Sequence, residues 1–140
     1  LRDRVCAVSN KTHYNEMNVL SMHALIGAYQ PQGYEWVDEL NQVLASNIEY
    51  FCDYVDEHFE GVSYSRPQGT YMVFLDCTEW CREHGRDIQW LLDEGARVGV
   101  GYQDGRPFHG PCHIRVNLAL PLSRVREACD RLDRYVFNAR

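Results

Sequence analysis

A chain of 140 residues is long enough for one domain whose core needs no covalent staples. Hydrophobic residues make up 45% of it and charged residues 24%, a balance that excludes disordered and fibrous chains and fits an ordinary globular protein. The formal net charge of −6 argues against a nucleic-acid partner, and Lys11 is the only lysine, so almost all basic charge is arginine.

Residues 1–14 are polar and irregular, and are expected to be a lead-in rather than an element. From Asn15 to Gln30 the spacing predicts a helix that is apolar on more than one face, through Met17, Leu20, Ala24 and Ala28 and again through Met22, Leu25, Ile26 and Tyr29. Pro31-Gln32-Gly33 is expected to break it. A long amphipathic helix follows over about Tyr34–His58. Val37, Leu40, Leu44, Ile48, Phe51, Val55 and Phe59 recur at three- and four-residue steps along its length. Gly61 ends that connection.

Val62–Ser65 and Thr70–Asp76 are short, β-branched and aromatic, and Arg66-Pro67-Gln68-Gly69 between them reads as a turn joining two strands. Arg86–Glu94 returns to helical spacing, with Gly95 as its cap. Ala96–Val100 reads as a short strand and Gly101–Pro111 as a loop. His113–Ala119 alternates, with Ile114, Val116 and Leu118 on one face and His113, Arg115, Asn117 and Ala119 on the other. Ser123 is placed to cap a last helix carrying Val125, Cys129, Leu132 and Val136. The set predicts an α+β fold: a small, mostly antiparallel sheet of three or four strands covered on one side by helices.

No apolar run approaches the roughly 18 residues of a membrane span and no signal peptide opens the chain, so neither membrane insertion nor export is expected. Six cysteines, Cys6, Cys52, Cys77, Cys81, Cys112 and Cys129, contain no CxxC pair. Cys52, Cys77 and Cys129 lie in apolar segments, so a reduced, cytoplasmic protein with packed thiols is expected. The chain opens on Leu1 without a methionine and is expected to be a fragment of a longer protein.

The candidate constellations are few. His109, Cys112 and His113 lie within five residues, but a metal site needs three or four convergent ligands, and no second cluster matches them. Cys77 and Cys81 share one helical turn and read as packing. The glycines of Gly99–Gly105 have neither the leading strand nor the following helix of a dinucleotide-binding turn. Arg115 stands apart, because an arginine in an alternating strand needs an anion or water for its guanidinium. A structural ion pair and an anion-binding role both account for it.

Three stretches then carry a resemblance. HIRVNLALP (His113–Pro121) resembles the substrate-carboxylate strand of class I/II aminotransferases, in which Arg is followed after one apolar residue by Asn. PQGTYMVFLDC (Pro67–Cys77) resembles the strand after the turn in the same family. AYQPQGYEWVDELNQVLASNIEYF (Ala28–Phe51) resembles the long-helix start of the cystathionine β-lyase-like C–S lyase branch. The ordered set covers nearly the whole chain.

The resemblance implies that residues 1–140 are the single C-terminal small domain of a fold-type I enzyme, with residues 1–14 leading in from a cofactor domain. The parent would use pyridoxal phosphate on an amino-acid substrate as an aminotransferase or carbon–sulfur lyase, as a homodimer in the family's manner. Arg115 would bind the substrate α-carboxylate while the domain closes the active site. The fragment alone would carry no catalytic residue, no metal and no bound cofactor. Ser9-Asn10-Lys11-Thr12 is similar to the family's Ser-Lys-Thr, but Lys11 stands too close to the following helices and reads as a linker lysine. The Schiff-base lysine is expected upstream of Leu1. The other reading is a stand-alone regulatory domain that uses Arg115 to hold an anionic metabolite.

Overall fold

The computed structural model describes residues 1–13 and 16–139, which divide into two compact units, Leu1–Leu40 and Asn41–Arg140. The first unit is helical. The segment expected to be irregular is a helix, α1 (Arg2–Thr12), with Asp3 in its first turn beside Arg2 and Arg4, and Lys11 in its last, where the helix dipole favours a cation. It escaped detection because it carries no apolar stripe, and none of its residues is buried. His13, at φ 53, closes it in the left-handed conformation, and its amide bonds the Ser9 carbonyl.

Helix α2 (Val19–Ala28) starts later than the apolar spacing predicts, because the Asn18 side chain accepts from the Ser21 amide at 2.9 Å and sets the start there. Asn15, where the predicted helix begins, lies outside the described residues. Pro31 does end α2, but it also opens α3 (Pro31–His58), as suits a residue with no amide to satisfy at a first helical position. A side chain at Gly33 would collide with the Ala28 carbonyl, so the tight link between α2 and α3 requires glycine there.

The second unit contains the core. Asn47, Phe51, Cys52 and Val55 of α3 are buried, followed by Phe59. Strands β1 (Ser63–Tyr64), β2 (Met72–Asp76), β3 (Gln103–Asp104) and β4 (His113–Asn117) form one antiparallel sheet in the order β1-β2-β4-β3. The period-two alternation puts Val73 and Leu75 of β2 and Ile114 and Val116 of β4 on the core face. Burying each such side chain contributes about 1.5–3 kcal/mol.

Helices α4 (Thr78–His84), α5 (Ile88–Arg97) and α6 (Leu122–Leu132), with a π-helical turn Asp133–Phe137, supply Trp80, Leu91, Val125, Cys129, Leu132, Val136 and Phe137 to the same core. Phe59 stacks on Phe137 at 4.3 Å, and the Trp80 indole Nε1–H donates to the Phe137 carbonyl at 3.2 Å. The buried Asn47 amide donates to the carbonyls of Leu118 and Leu120 at 2.8 and 2.7 Å, tying α3 to the chain beyond β4.

Several local expectations are corrected. Helix α4 was not foreseen, because seven residues are too few to display a period. The predicted strand at Ala96–Val100 is instead the end of α5 and a turn through Gly99 at φ 78. Gly95 does not cap α5 but lies buried within it, where the Tyr102 ring packs into the space a Cβ would take. Strand β3 falls inside the expected loop. Pro121, not Ser123, occupies the N-cap position of α6, and it makes no side-chain cap bond.

Candidate functional site

The face of the sheet turned away from the core is built by register. Pairing Met72 with Asn117, Phe74 with Arg115 and Asp76 with His113 sets these six side chains on one face, all exposed or half-buried. Gln103 of β3 pairs with Arg115 from the other side, so Phe74, Arg115 and Gln103 form a row across three strands.

Arg115 is held from two directions. Its Nε–H donates to the Gln103 side-chain Oε1 at 2.6 Å, and its guanidinium lies 4.1 Å from the centre of the Phe108 ring. A ring face beneath a cation contributes about 0.5–1 kcal/mol at a site of this exposure. No carboxylate among the described residues lies within ion-pair distance of Arg115, and its Nη1 and Nη2 groups have no hydrogen-bond partner among them. Because the side edge of the fork (Nε with its neighbour) is occupied by Gln103, the end edge, Nη1 with Nη2, remains available for a planar two-oxygen anion.

Phe108 is positioned by a short 3-10 turn, Arg106–Phe108. Asp104 holds this turn: its Oδ1 accepts from the Arg106 amide at 2.9 Å, and both carboxylate oxygens accept from the Arg106 Nε at 3.0 and 2.8 Å. The Arg106 side chain and amide keep the Asp104 carboxyl below the ordinary aspartate value. The Gly105 amide bonds the His113 carbonyl at 2.9 Å and the Gly110 amide the Gly105 carbonyl at 3.1 Å, which folds the loop back onto the start of β4.

Beside Arg115, His113 leans on Phe74 with ring centres 4.6 Å apart, and its Nε2 lies 3.7 Å from Asp76 Oδ2. Burial raises the Asp76 carboxyl. Hydrogen bonds from the Thr78 hydroxyl and amide, with His113 nearby, outweigh that and hold it below the usual value. Asn117 Oδ1 accepts from the Ala119 amide at 2.8 Å and shapes the exit from β4.

The sequence-derived candidates separate in the structure. Arg115 and Asn117 share the open face, as their alternation predicts. Lys11 is exposed on α1 in the first unit, with no buried neighbour on its helix. His109 adopts φ 63 in the loop, and no group of three or more His, Cys, Asp or Glu among the described residues is placed to hold a metal ion. Among the described residues, no helix is long and apolar enough to cross a membrane. Gln103 and Phe108 were missed: Gln103 sits in a two-residue strand with no period to read, and Phe108 in a turn whose only signals are Pro107 and the flanking glycines.

Residues 6–132 match the family model for aminotransferase class I and II. A Mycobacterium leprae sequence assigned as a cystathionine beta-lyase is 35% identical over 124 residues, covering 77% of this chain and 30% of that protein. A PLP-bound structure from Clostridium difficile 630, assigned as an aminotransferase, superposes with TM-score 0.78 at 25% identity, covering 94% of this chain and 34% of that one. The PLP-bound C-S lyase from Staphylococcus hominis has the same fold, with TM-score 0.77 at 23% identity over 91% of this chain and 33% of that one. The chain spans about 30% of the length of the curated relatives it matches.

Proposed function

The chain belongs to the aminotransferase class I and II family, and from that premise we propose that it is the small, substrate-closing domain of a pyridoxal-phosphate-dependent enzyme acting on an amino acid. The observation that carries this reading is Arg115. Its guanidinium is oriented by Gln103 and Phe108 and has no carboxylate partner among the described residues. A structural arginine would be paired. This one is set up for an anion that arrives from outside.

In this reading the substrate α-carboxylate meets the Nη1 and Nη2 edge in two parallel, charge-assisted hydrogen bonds. Gln103 fixes the plane of the fork through Nε, and Phe108 fixes its tilt. The gain is orientational: with the carboxylate clamped, the remaining bonds at the substrate Cα take one attitude in the site. Closure of the domain would bring Arg115 to the substrate and exclude water, which strengthens the ion pair.

Pyridoxal phosphate, which the structures from Clostridium difficile and Staphylococcus hominis are described as binding, does not fit the residues of this chain. Its aldehyde needs a lysine fenced in a pocket, and Lys11 is exposed on a helix that buries nothing. We assign the cofactor to the remainder of the polypeptide and assign no step of its chemistry to these residues. The likeness to cystathionine beta-lyase sequences favours carbon–sulfur bond cleavage over transamination as the whole protein's reaction. A homodimer in the cytoplasm is part of the same proposal and rests on the family resemblance alone.

The test is Arg115→Ala in the whole protein. A hydrogen bond to a charged group is worth roughly 1.5–3 kcal/mol, so kcat/KM for amino-acid substrates should fall by about 10- to 100-fold or more. Arg115→Lys should restore only part of it, because a point charge lacks the fork. The thermal midpoint should hardly move. An unaltered kcat/KM with a lowered midpoint would make Arg115 structural. Tight calorimetric binding of a carboxylate metabolite to the 140-residue chain alone would favour the regulatory-domain reading instead.

A further inference from the structure

The arginine pairs of the second unit are not alike. Arg82 with Glu79, Arg97 with Glu94 and Arg124 with Glu127 run along helix surfaces, where such pairs are ordinary. Asp104 and Arg106 pair across a turn instead. Asp104 accepts from the Arg106 amide as well as from its Nε, and the Arg106 Nη2 lies 2.7 Å from Asp104 Oδ2. The same Nη2 donates to Gln89 Oε1 at 2.9 Å, and Gln89 stands in the first turn of α5. That helix start is itself fixed, since the Asp87 side chain accepts from the Trp90 amide at 2.8 Å. The turn is therefore tied to a helix as well as to β3.

Gln103 and Asp104 are consecutive in β3, so they leave the strand on opposite sides. Gln103 reaches Arg115 directly, through the bond to its Nε. Asp104 reaches it through the turn Arg106–Phe108, whose last residue sets its ring against the Arg115 guanidinium. Phe108 is 45% exposed, so the core does not hold its ring, and the backbone of the turn must. That backbone is closed by the Phe108 amide on the Gly105 carbonyl at 2.8 Å. The side chains of Asp104 and Arg106 are 30% and 47% exposed, and an ion pair so placed contributes little to folding.

We propose that Asp104 and Arg106 are positioning residues for the substrate carboxylate: they fix the turn Arg106–Phe108 and so keep the Phe108 ring against the Arg115 guanidinium. This rests on the reading of Arg115 as the residue that binds the carboxylate. A ring face attracts a cation only within about 6 Å of its centre, so a ring that swings on a loose turn releases the fork. Gln103 holds the fork by a single hydrogen bond, about which the guanidinium plane can still rock. The ring face stops that rocking. A carboxylate must meet both Nη groups at once, so a rocking fork costs substrate orientation and not folding.

The experiment measures kcat, KM and thermal midpoint in the whole protein with an amino-acid substrate. It compares Asp104→Ala, Phe108→Ala and Arg115→Ala, alone and in pairs. Asp104→Ala should lower kcat/KM by about three- to tenfold, less than the roughly 100-fold that a misplacement of about 1 Å can cost, with the midpoint almost unmoved. Phe108→Ala should cost about the same. The Asp104→Ala loss should disappear when Phe108→Ala or Arg115→Ala is already present, because the three residues act in series. Asp104→Asn keeps an acceptor for the Arg106 amide and should recover part of the loss; it also stands in for the alanine variant if that one fails to fold. Full kcat/KM in Asp104→Ala beside an impaired Arg115→Ala would overturn the proposal. So would losses that multiply in the paired variants, or a kinetic loss matched by a fall in midpoint. An unaltered kcat/KM in Arg115→Ala would instead remove the carboxylate reading, and this proposal with it.

Discussion

Helices α2 and α6 are of similar length, yet one buries nothing and the other carries part of the core. α2 is apolar around much of its surface, and Leu20, Leu25 and Ile26 remain exposed. α6 is polar on average but amphipathic, and Val125, Cys129 and Leu132 are buried along one stripe. Helix formation in the first unit is a local matter of the Asn18 cap and intrahelical bonds. A core needs several elements to bring apolar faces to the same place, and among the described residues only the second unit does that. Hydrophobicity of a segment therefore does not measure its contribution to stability; convergence does.

The largest expected effect lies in the converged core. Leu75 is fully buried on the sheet, so Leu75→Ala should cost about 2–5 kcal/mol in a urea titration, whereas Leu20→Ala, at a position 82% exposed, should stay within about 0.5 kcal/mol. Comparable losses at the two sites would break the contrast between the units.

A smaller effect is expected at the join between β2 and α4. Asp76 Oδ1 accepts from the Thr78 amide at 2.9 Å and hydroxyl at 2.5 Å. Asp76→Ala should cost about 0.5–2 kcal/mol, as loss of a helix cap does. The folded-state carboxyl is held below its unfolded value, so its contribution is complete above the unfolded value of roughly 3.9 and is lost as pH falls through the depressed folded one. Acid unfolding of Asp76→Asn should lack that component. An unchanged acid limb would remove Asp76 from the account.

Gln103 sharpens the comparison on the open face, where a bond serves orientation rather than stability. Gln103→Ala in the whole protein should lower kcat/KM by up to about tenfold, from one hydrogen bond of roughly 0.5–1.5 kcal/mol, with little change in thermal midpoint. A midpoint shift without a kinetic one would reverse that assignment.

The smallest effect on stability is expected where the apolar surface is most open. Paired Leu20→Lys and Leu25→Lys changes should leave the unfolding free energy within about 0.5 kcal/mol and reduce self-association of the chain in light scattering. A monomeric unsubstituted chain at high concentration would refute the second half.

What could be read in advance follows the length of the signal. The stripe of α3 at Phe51 and Val55, continued by Phe59 just past its end, the alternation of β4, and the run Val125, Cys129, Leu132 and Val136 were all legible, because each repeats its period several times. The upper part of the α3 stripe was legible too, yet Val37 is 45% exposed, since periodicity shows a face without showing what covers it. Helix α1 left no trace because it has no face to show, and β3 because two residues carry no alternation.

Arg115 marks the same boundary within the candidate site. The sequence by itself determined that an arginine stands in an alternating strand, opposite the core-facing Ile114 and Val116, in an order of motifs that resembles one family. Whether that arginine was already paired depended on which carboxylates come near it in space, and no spacing along the chain encodes that. Only the tertiary structure put Gln103 and Phe108 against the guanidinium and left its Nη1 and Nη2 edge unpaired among the described residues. The physical reason is range: periodicity and capping act within a turn or a strand, whereas the partners of Arg115 arrive through strand pairing and a loop that folds back on glycines.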